Sequence, residues 1–254
     1  MVAVDVQLSA SHVDWATLRR ASLTVEERGF DALWVLDHLA GTPFDGTTSL
    51  ECFTWLGALA EATSTIGLGV LVANVWNRQL GTLAVAAASV QEVSGRPFLF
   101  GIGAGASPST GWADEQRAVG AELHSELSVR QERVEQLLAL TDEMWRPDRD
   151  PRFETFPNPA PAPTRIIGVN SVRLAEIAGR GAEGVNVAWQ HPRRDAFIDA
   201  AREAADGRSF AVTAWEPWSP ELLDPAHPTR VEMAARDLDR VILTVIENLD
   251  DFLS

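Results

Sequence analysis

The sequence predicts an α/β fold, a single (β/α)8 barrel spanning residues 1–254, and three observations carry that expectation. Short apolar runs of strand length alternate with segments of helical period along the chain, the rhythm that builds parallel sheets. The run Ala32 to Leu36 is continuously apolar, as befits a strand covered on both faces, and it follows a helical segment that stops at Gly29. The 254 residues, 46% of them hydrophobic, suffice for one large core, and such barrels take about 250 residues.

In order, Val2 to Leu8 reads as the first strand, and Asp14 caps a helix whose stripe is Trp15, Leu18, Ser22 and Val25. Gly29 ends that helix in the left-handed conformation, and the second strand follows at once, delivering Asp37-His38 to its carboxyl end. A loop with Pro43 and Asp45-Gly46 leads to a helix from about Leu50 to Thr63, with Phe53, Leu56 and Ala60 on one face. The third strand is Ile66 to Val72. A helix from about Gln79 to Ser94 stops at Gly95 before a fourth strand, Pro97 to Ile102. Residues 103–124 form a long Gly/Ser-rich passage. Ser128 and Gln131 have the spacing of a capping box for a long helix with Val134, Leu137, Leu138, Thr141 and Met144 on its apolar face. The Pro-rich connector 147–163 reads as a domain linker or as a wrap across one barrel, and continued alternation favours the wrap. Strands follow at Arg165–Val169, Gly184–Ala188, Ser209–Ala214 and Arg240–Leu243. Between them lie a helix ending at Gly179 and one from about Arg193 to Ala205, and a short helix closes the chain. Prolines in 216–228 make the seventh helix the least defined element.

The formal net charge of −15 argues against a nucleic-acid or anionic-membrane partner, since both require a basic face to displace counterions. All 21 basic residues are Arg, so a Schiff-base lysine is excluded and any phosphate or carboxylate falls to guanidinium groups. Tyrosine is absent too. Cys52, the one cysteine, excludes an internal disulfide and a thiolate metal cluster, as in a reducing cytoplasm, and reads as a small buried hydrophobe. No leader pattern and no apolar run of about 18 residues is found, so the expectation is a soluble, cytoplasmic protein. His12, His38, His124, His191 and His227 have no partners at a zinc-ligand spacing, and no metal site is expected. Asp114-Glu115 and Asp148-Arg149-Asp150 read as solvated charge clusters, and no GxSxG hydrolase elbow is present.

Three segments, "ERGFDALWVLDHL", "LGALAEATSTIGLGVLV" and "SGRPFLFGIGAG", resemble the luciferase-like monooxygenase superfamily in order and spacing. A fourth, "PTRIIGVNSVRLAEIAGRGAEGVNVAW", is similar to that family between its fifth and sixth strands, so the resemblance covers most of residues 1–190. It points to the branch that uses the deazaflavin coenzyme F420. The resemblance implies that His38 is the proton acceptor or donor beside the reactive carbon of the deazaflavin, with Asp37 next to the cofactor. An imidazole suits that task because it titrates near neutral pH. The plainer reading of His38 is a hydrogen-bonded histidine at a strand end.

Gly69-Val70 matches the family position where a non-prolyl cis peptide bulges against the ring system; an ordinary trans glycine in a crowded strand is the alternative. Gly101, Gly103 and Gly105 form GxGxG without the third glycine of a dinucleotide fingerprint, so they read as places where a ring or substrate approaches the backbone. Gly168, Val169 and Asn170 match the segment where relatives turn backbone amides to the cofactor tail, and Ser171 reads as a helix cap that aims the amino end at a phosphate or as a purely structural one.

The departures from the pattern also carry information. Arg78-Gln79-Leu80 stands where relatives often have Arg-His-Pro, Ala104 where chains that bind flavin mononucleotide have Arg, and Ala106 where sugar-phosphate dehydrogenases have Glu. The chain is short for the family after residue 190. Trp76, Trp112, Trp189 and Trp215 follow expected strands and are candidates for an apolar pocket wall. The implied activity is hydride transfer between F420 and a small organic substrate. The alternatives are a flavin mononucleotide (FMN)-dependent monooxygenase and a barrel without chemistry that binds a cofactor or serves as a scaffold. A homodimer through the second and third helices is expected, because residues 80–90 are largely small and aliphatic.

Overall fold

Eight parallel strands close on themselves in chain order: β1 (Ala3–Leu8), β2 (Ala32–Val35), β3 (Gly67–Asn74), β4 (Phe98–Gly103), β5 (Thr164–Val169), β6 (Gly184–Ala188), β7 (Ala211–Pro217) and β8 (Arg240–Val245). The computed structural model describes residues 2–247 and 249–253. The helices are α1 (Trp15–Glu27), α2 (Cys52–Ala62), α3 (Leu80–Ser94), α4 (Asp114–Ala118), α5 (Leu127–Trp145), α6 (Val172–Gly181), α7 (Arg194–Ala205), α8 (Pro228–Ala235) and α9 (Leu249–Leu253). β1 pairs with β8 from Ala3 against Arg240 to Leu8 against Val245, which seals the barrel. This is the expected (β/α)8 architecture, with α4 as an unexpected extra turn of helix after β4.

Local chemistry accounts for the element ends. Asp14 accepts a hydrogen bond from the Thr17 backbone N–H at 2.8 Å and so caps α1, while Gly29 and Gly95 take φ of 75° and 63° beyond α1 and α3. The expected capping box at Ser128 does not form. α5 starts two residues earlier than that box requires, at Leu127 with Glu126 as its cap, so Ser128 lies inside its first turn, and Gln131 instead donates to Ser171 Oγ at 2.9 Å. β7 begins later than expected and runs on through Trp215 to Pro217, because pairing with β8 continues beyond the apolar run. The connector 147–163 wraps the barrel: Phe153 is buried, and the Pro161 carbonyl accepts from Gln91 on α3. Among the described residues, no helix is long and apolar enough to cross a membrane.

Two apolar layers result. The larger one lies between strands and helices; the smaller fills the barrel with Trp34, Leu71, Leu99, Ile166 and Ile242. Below it, Trp34 Nε1 donates to Asp5 at 2.8 Å and Arg240 Nη1 donates to Asp5 at 2.9 Å. Burial raises the Asp5 carboxyl from its ordinary 3.8 to about 6, against the opposing pull of Arg240 and Trp34.

The structure corrects the reading of β3. Gly69 points into the barrel beneath the mouth, where an added Cβ would stand 2.6 Å from the Trp34 ring, and Val70 is buried in the outer layer. Neither lines the cavity described below. The non-prolyl cis bond lies at Leu71–Val72, with a register shift against β4 between Val70 and Ala73. The reason is length: β3 extends to Asn74, so its mouth end lies two residues beyond the expected one.

Candidate active site

β2 ends at Val35, and the chain leaves it as Leu36-Asp37-His38 at the carboxyl mouth of the barrel, where folds of this kind place chemistry. Asp37 is buried and held entirely by protein. Arg78 donates to its two oxygens at 2.8 Å each, the Asn74 N–H at 2.9 Å and the Cys52 thiol at 3.1 Å. Burial opposes the charge of Arg78, yet hydrogen bonds and charge from Asp37, with Glu51 adding to them, hold the guanidinium above its ordinary value. Asp37, Glu51 and Cys52 bring potential ligand atoms within 4.8 Å of one another, but Arg78 donates to all three, so this cluster is an ion-pair knot. Burial pushes the Cys52 thiol up; the side chain is buried as expected, but it is not a plain hydrophobe, since its thiol donates to Asp37.

His38 is half-buried and faces the cavity, with its Nδ1 2.9 Å from Glu115 Oε1. Glu115 also accepts from the backbone N–H of Leu39 at 2.9 Å, from that of Ala40 at 3.1 Å, and from Gln116 Nε2 at 3.1 Å. Burial alone would raise the Glu115 carboxyl, but the hydrogen bonds and charge of His38, with the Leu39 and Ala40 N–H groups, outweigh it and hold it below its ordinary value. An ionised carboxylate only accepts, so Nδ1 donates to Glu115, and in the neutral ring that tautomer leaves the Nε2 lone pair facing away from it. A histidine backed by a buried carboxylate is an arrangement that can accept and return a proton. Glu115 is 4% exposed, not part of the solvated cluster that Asp114-Glu115 suggested. Asp114 does face solvent and pairs with Arg117. A helix of five residues shows too little periodicity for sequence to reveal which face is buried.

The cavity encloses about 550 Å³, within the range of about 300–1,000 Å³ typical of ligand pockets. Its floor is the uppermost inward layer of the barrel, with Gln7, Leu71, Asn186 and Thr244. Of the expected cofactor residues, Asp37, Gly103, Gly105, Gly168, Val169 and Asn170 line it, together with His38. Two of those glycines serve the chain itself: an added Cβ on Gly103 or Gly168 would meet the Val72 side chain at 2.5 or 2.7 Å. They therefore admit Val72 between β4 and β5 and leave a low, flat wall. Gly105 sits at φ 80°, against the Asn74 amide.

Ser171 caps α6, accepting from the Leu174 N–H at 3.4 Å, just beyond the Gly168–Asn170 segment. Arg130 reaches the same region and donates to the Gly105 carbonyl at 2.7 Å, while its buried Nε has no partner among the described residues. Burial lowers the Arg130 pKa. Sequence reading missed Arg130, because an arginine in the first turn of a long polar helix looks like any solvated one. Of the four tryptophans singled out, Trp112 and Trp215 line the cavity. Trp189 is core beneath Arg194, and Trp76 packs on His124 and Arg133 just outside.

A closed parallel barrel with a carboxylate-paired histidine over a ligand-sized cavity at its carboxyl mouth defines the class of protein: an α/β barrel with an enzyme-like site. The family follows from direct comparison. The model of the luciferase-like monooxygenase family matches residues 1–216, and the chain belongs to that family. It is 24% identical over 207 residues to an F420-dependent glucose-6-phosphate dehydrogenase of Nakamurella multipartita, covering 78% of this chain and 60% of that relative's length. In three dimensions it resembles an F420-dependent secondary alcohol dehydrogenase in complex with an F420–acetone adduct, with a TM-score of 0.76 and 14% identity over 97% of this chain and 94% of the other. It also resembles a riboflavin lyase with modified FMN and riboflavin, with a TM-score of 0.70 and 14% identity over 99% and 89% of the two chains. At such identities the likeness is one of fold.

Proposed function

We propose that the protein is an oxidoreductase that moves a hydride between the deazaflavin coenzyme F420 and a small organic substrate. The observation that carries this reading is the His38–Glu115 pair at the cavity, supported by the F420-dependent relatives. The site fits the cofactor in three respects. Val72, flanked by Gly103 and Gly168, offers a flat apolar step to a ring system. The segment Gly168–Asn170 borders the cavity at the amino end of α6, and Arg130 keeps a buried donor without a partner among the described residues, both suited to an anionic tail.

When bound, the deazaflavin supplies the two-electron hydride acceptor or donor. The protein supplies the rest. His38 Nε2 accepts the hydroxyl proton of an alcohol as its carbon gives up the hydride, and returns a proton in the reverse direction. Glu115 fixes the tautomer that leaves Nε2 free and stabilises the imidazolium that forms. Asp37, neutralised by Arg78, anchors the strand end that carries His38 and has no proton role. Phe44 and Trp112 cover the histidine and limit water.

Titrating the purified protein with F420 and with FMN, read by absorbance and fluorescence, tests the cofactor. Tight binding of FMN with no response to F420 favours the monooxygenase reading, and indifference to both favours a barrel without redox chemistry. His38→Ala should slow deazaflavin reduction ~10²–10⁴-fold while the melting temperature stays nearly unchanged. A lower melting point at an unchanged rate would remove His38 from the mechanism.

A further inference from the structure

The cavity is chemically lopsided. Its side toward β3, β4 and β5 is low and backbone-like, and there stands Arg130, the one permanent cation among the described residues that line it. Its side toward β7, β8, β1 and β2 is bulky, and the described residues that line it there carry no free charge. Trp215 stands near the end of β7 and Ile246 just past β8. Over His38, the rings of Phe44 and Trp112 close in with centroids 4.8 Å and 5.7 Å from the imidazole, and 5.7 Å from each other.

The carboxylates on this side are already committed, Asp37 to Arg78 and Glu115 to His38. The floor is polar but neutral: Thr244 Oγ1 donates to Gln7 Oε1 at 2.9 Å, and Asn186 Nδ2 to Thr213 Oγ1 at 2.9 Å. Trp112 and Trp215 remain 49% and 38% exposed, so large apolar faces stand uncovered at the mouth. A phosphate or carboxylate pressed against this wall would lose its hydration and meet no guanidinium in return.

Resting on the oxidoreductase reading above, we propose that the half of the site facing His38 takes a neutral, largely apolar alcohol or ketone and rejects phosphorylated or carboxylated compounds. The chain thereby parts from the sugar-phosphate specificity named for its Nakamurella relative. The hydroxyl or carbonyl oxygen meets His38, and the hydrocarbon part packs on Trp112, Trp215 and Phe44.

The test uses two titrations of the full chain, the deazaflavin first and substrate-like probes second, read by tryptophan fluorescence and calorimetry, not turnover. Cyclohexanol and cyclohexanone are the neutral probes; cyclohexanecarboxylate and glucose 6-phosphate are the anionic ones. The neutral probes should bind about tenfold or more tightly than either anion at neutral pH. Trp112→Ala and Trp215→Ala should each weaken cyclohexanol ~3–10-fold, with Trp112→Phe retaining most of the affinity. Either anion binding as tightly as cyclohexanol, or no probe binding at all, overturns the proposal. A failed deazaflavin titration with the neutral preference intact removes the cofactor reading and leaves the selectivity standing; normal deazaflavin binding with a preference for anions does the reverse.

Discussion

Glu115→Gln separates the two tasks of that carboxylate, holding a loop and setting a tautomer. The side chain is buried and accepts four hydrogen bonds, from His38 Nδ1, the N–H groups of Leu39 and Ala40, and Gln116. A glutamine keeps one oxygen for the two backbone N–H groups and turns its NH2 toward His38. A donor opposite Nδ1 makes that nitrogen an acceptor and moves the ring proton to Nε2, the atom that must receive the substrate proton. Turnover should fall ~10²–10⁴-fold. Two charge-assisted bonds become neutral ones, each weaker by about 1 kcal/mol. A chain of this size then melts about 4–8 °C lower.

Glu115→Ala also orphans the Leu39 and Ala40 N–H groups, at about 1–3 kcal/mol each, and should melt lower still. Because the folded state holds the Glu115 carboxyl below its ordinary 4.5, its stabilisation is present above that pH and is lost as pH falls through the depressed value. Glu115→Gln should lack that part of the acid-side decline. Paired melting curves and deazaflavin-reduction rates decide the matter: wild-type turnover with only a stability loss would reduce Glu115 to a loop latch.

Three further outcomes are expected. Asp5, raised from 3.8 to about 6 by burial, binds its proton more tightly folded than unfolded, so wild-type stability should drop by about 3 kcal/mol as pH rises from about 4 to above 6. Asp5→Asn should flatten that slope in melting temperature against pH, and an unaltered slope would assign it to other groups. Arg78→Met strands the buried Asp37 carboxylate and should cost about 3–5 kcal/mol by urea denaturation, whereas a loss under 1 kcal/mol would mean that the Asp37–Arg78–Glu51 knot is solvent-screened. Homodimer formation through α2 and α3 remains our expectation, although Leu83, Ala84 and Ala87 turn inward and leave Val85, Ala86 and Ser89 for the contact. Light scattering at micromolar protein should give twice the chain mass, and a concentration-independent monomer refutes it.

The barrel was legible from the sequence because its signals are local. A continuous apolar run of strand length such as Ala32 to Leu36, set between a helix end and a polar loop, reads as a strand buried on both faces, Asp14 and Gly29 bracket a helix by their own chemistry, and the length admits one core. The same locality placed His38 at a strand end. Tertiary structure decided what surrounds it. Glu115 lies 77 residues away, on a helix too short to show a period, and only closure of the barrel brings it to His38. Arg78 reaches Asp37 across 41 residues, and Val72 fills the space that Gly103 and Gly168 leave on two other strands. The position of the mouth on β3 also needed the structure, because strand length is set by pairing with neighbours and the two-residue side-chain period looks the same at Gly69 as at Leu71.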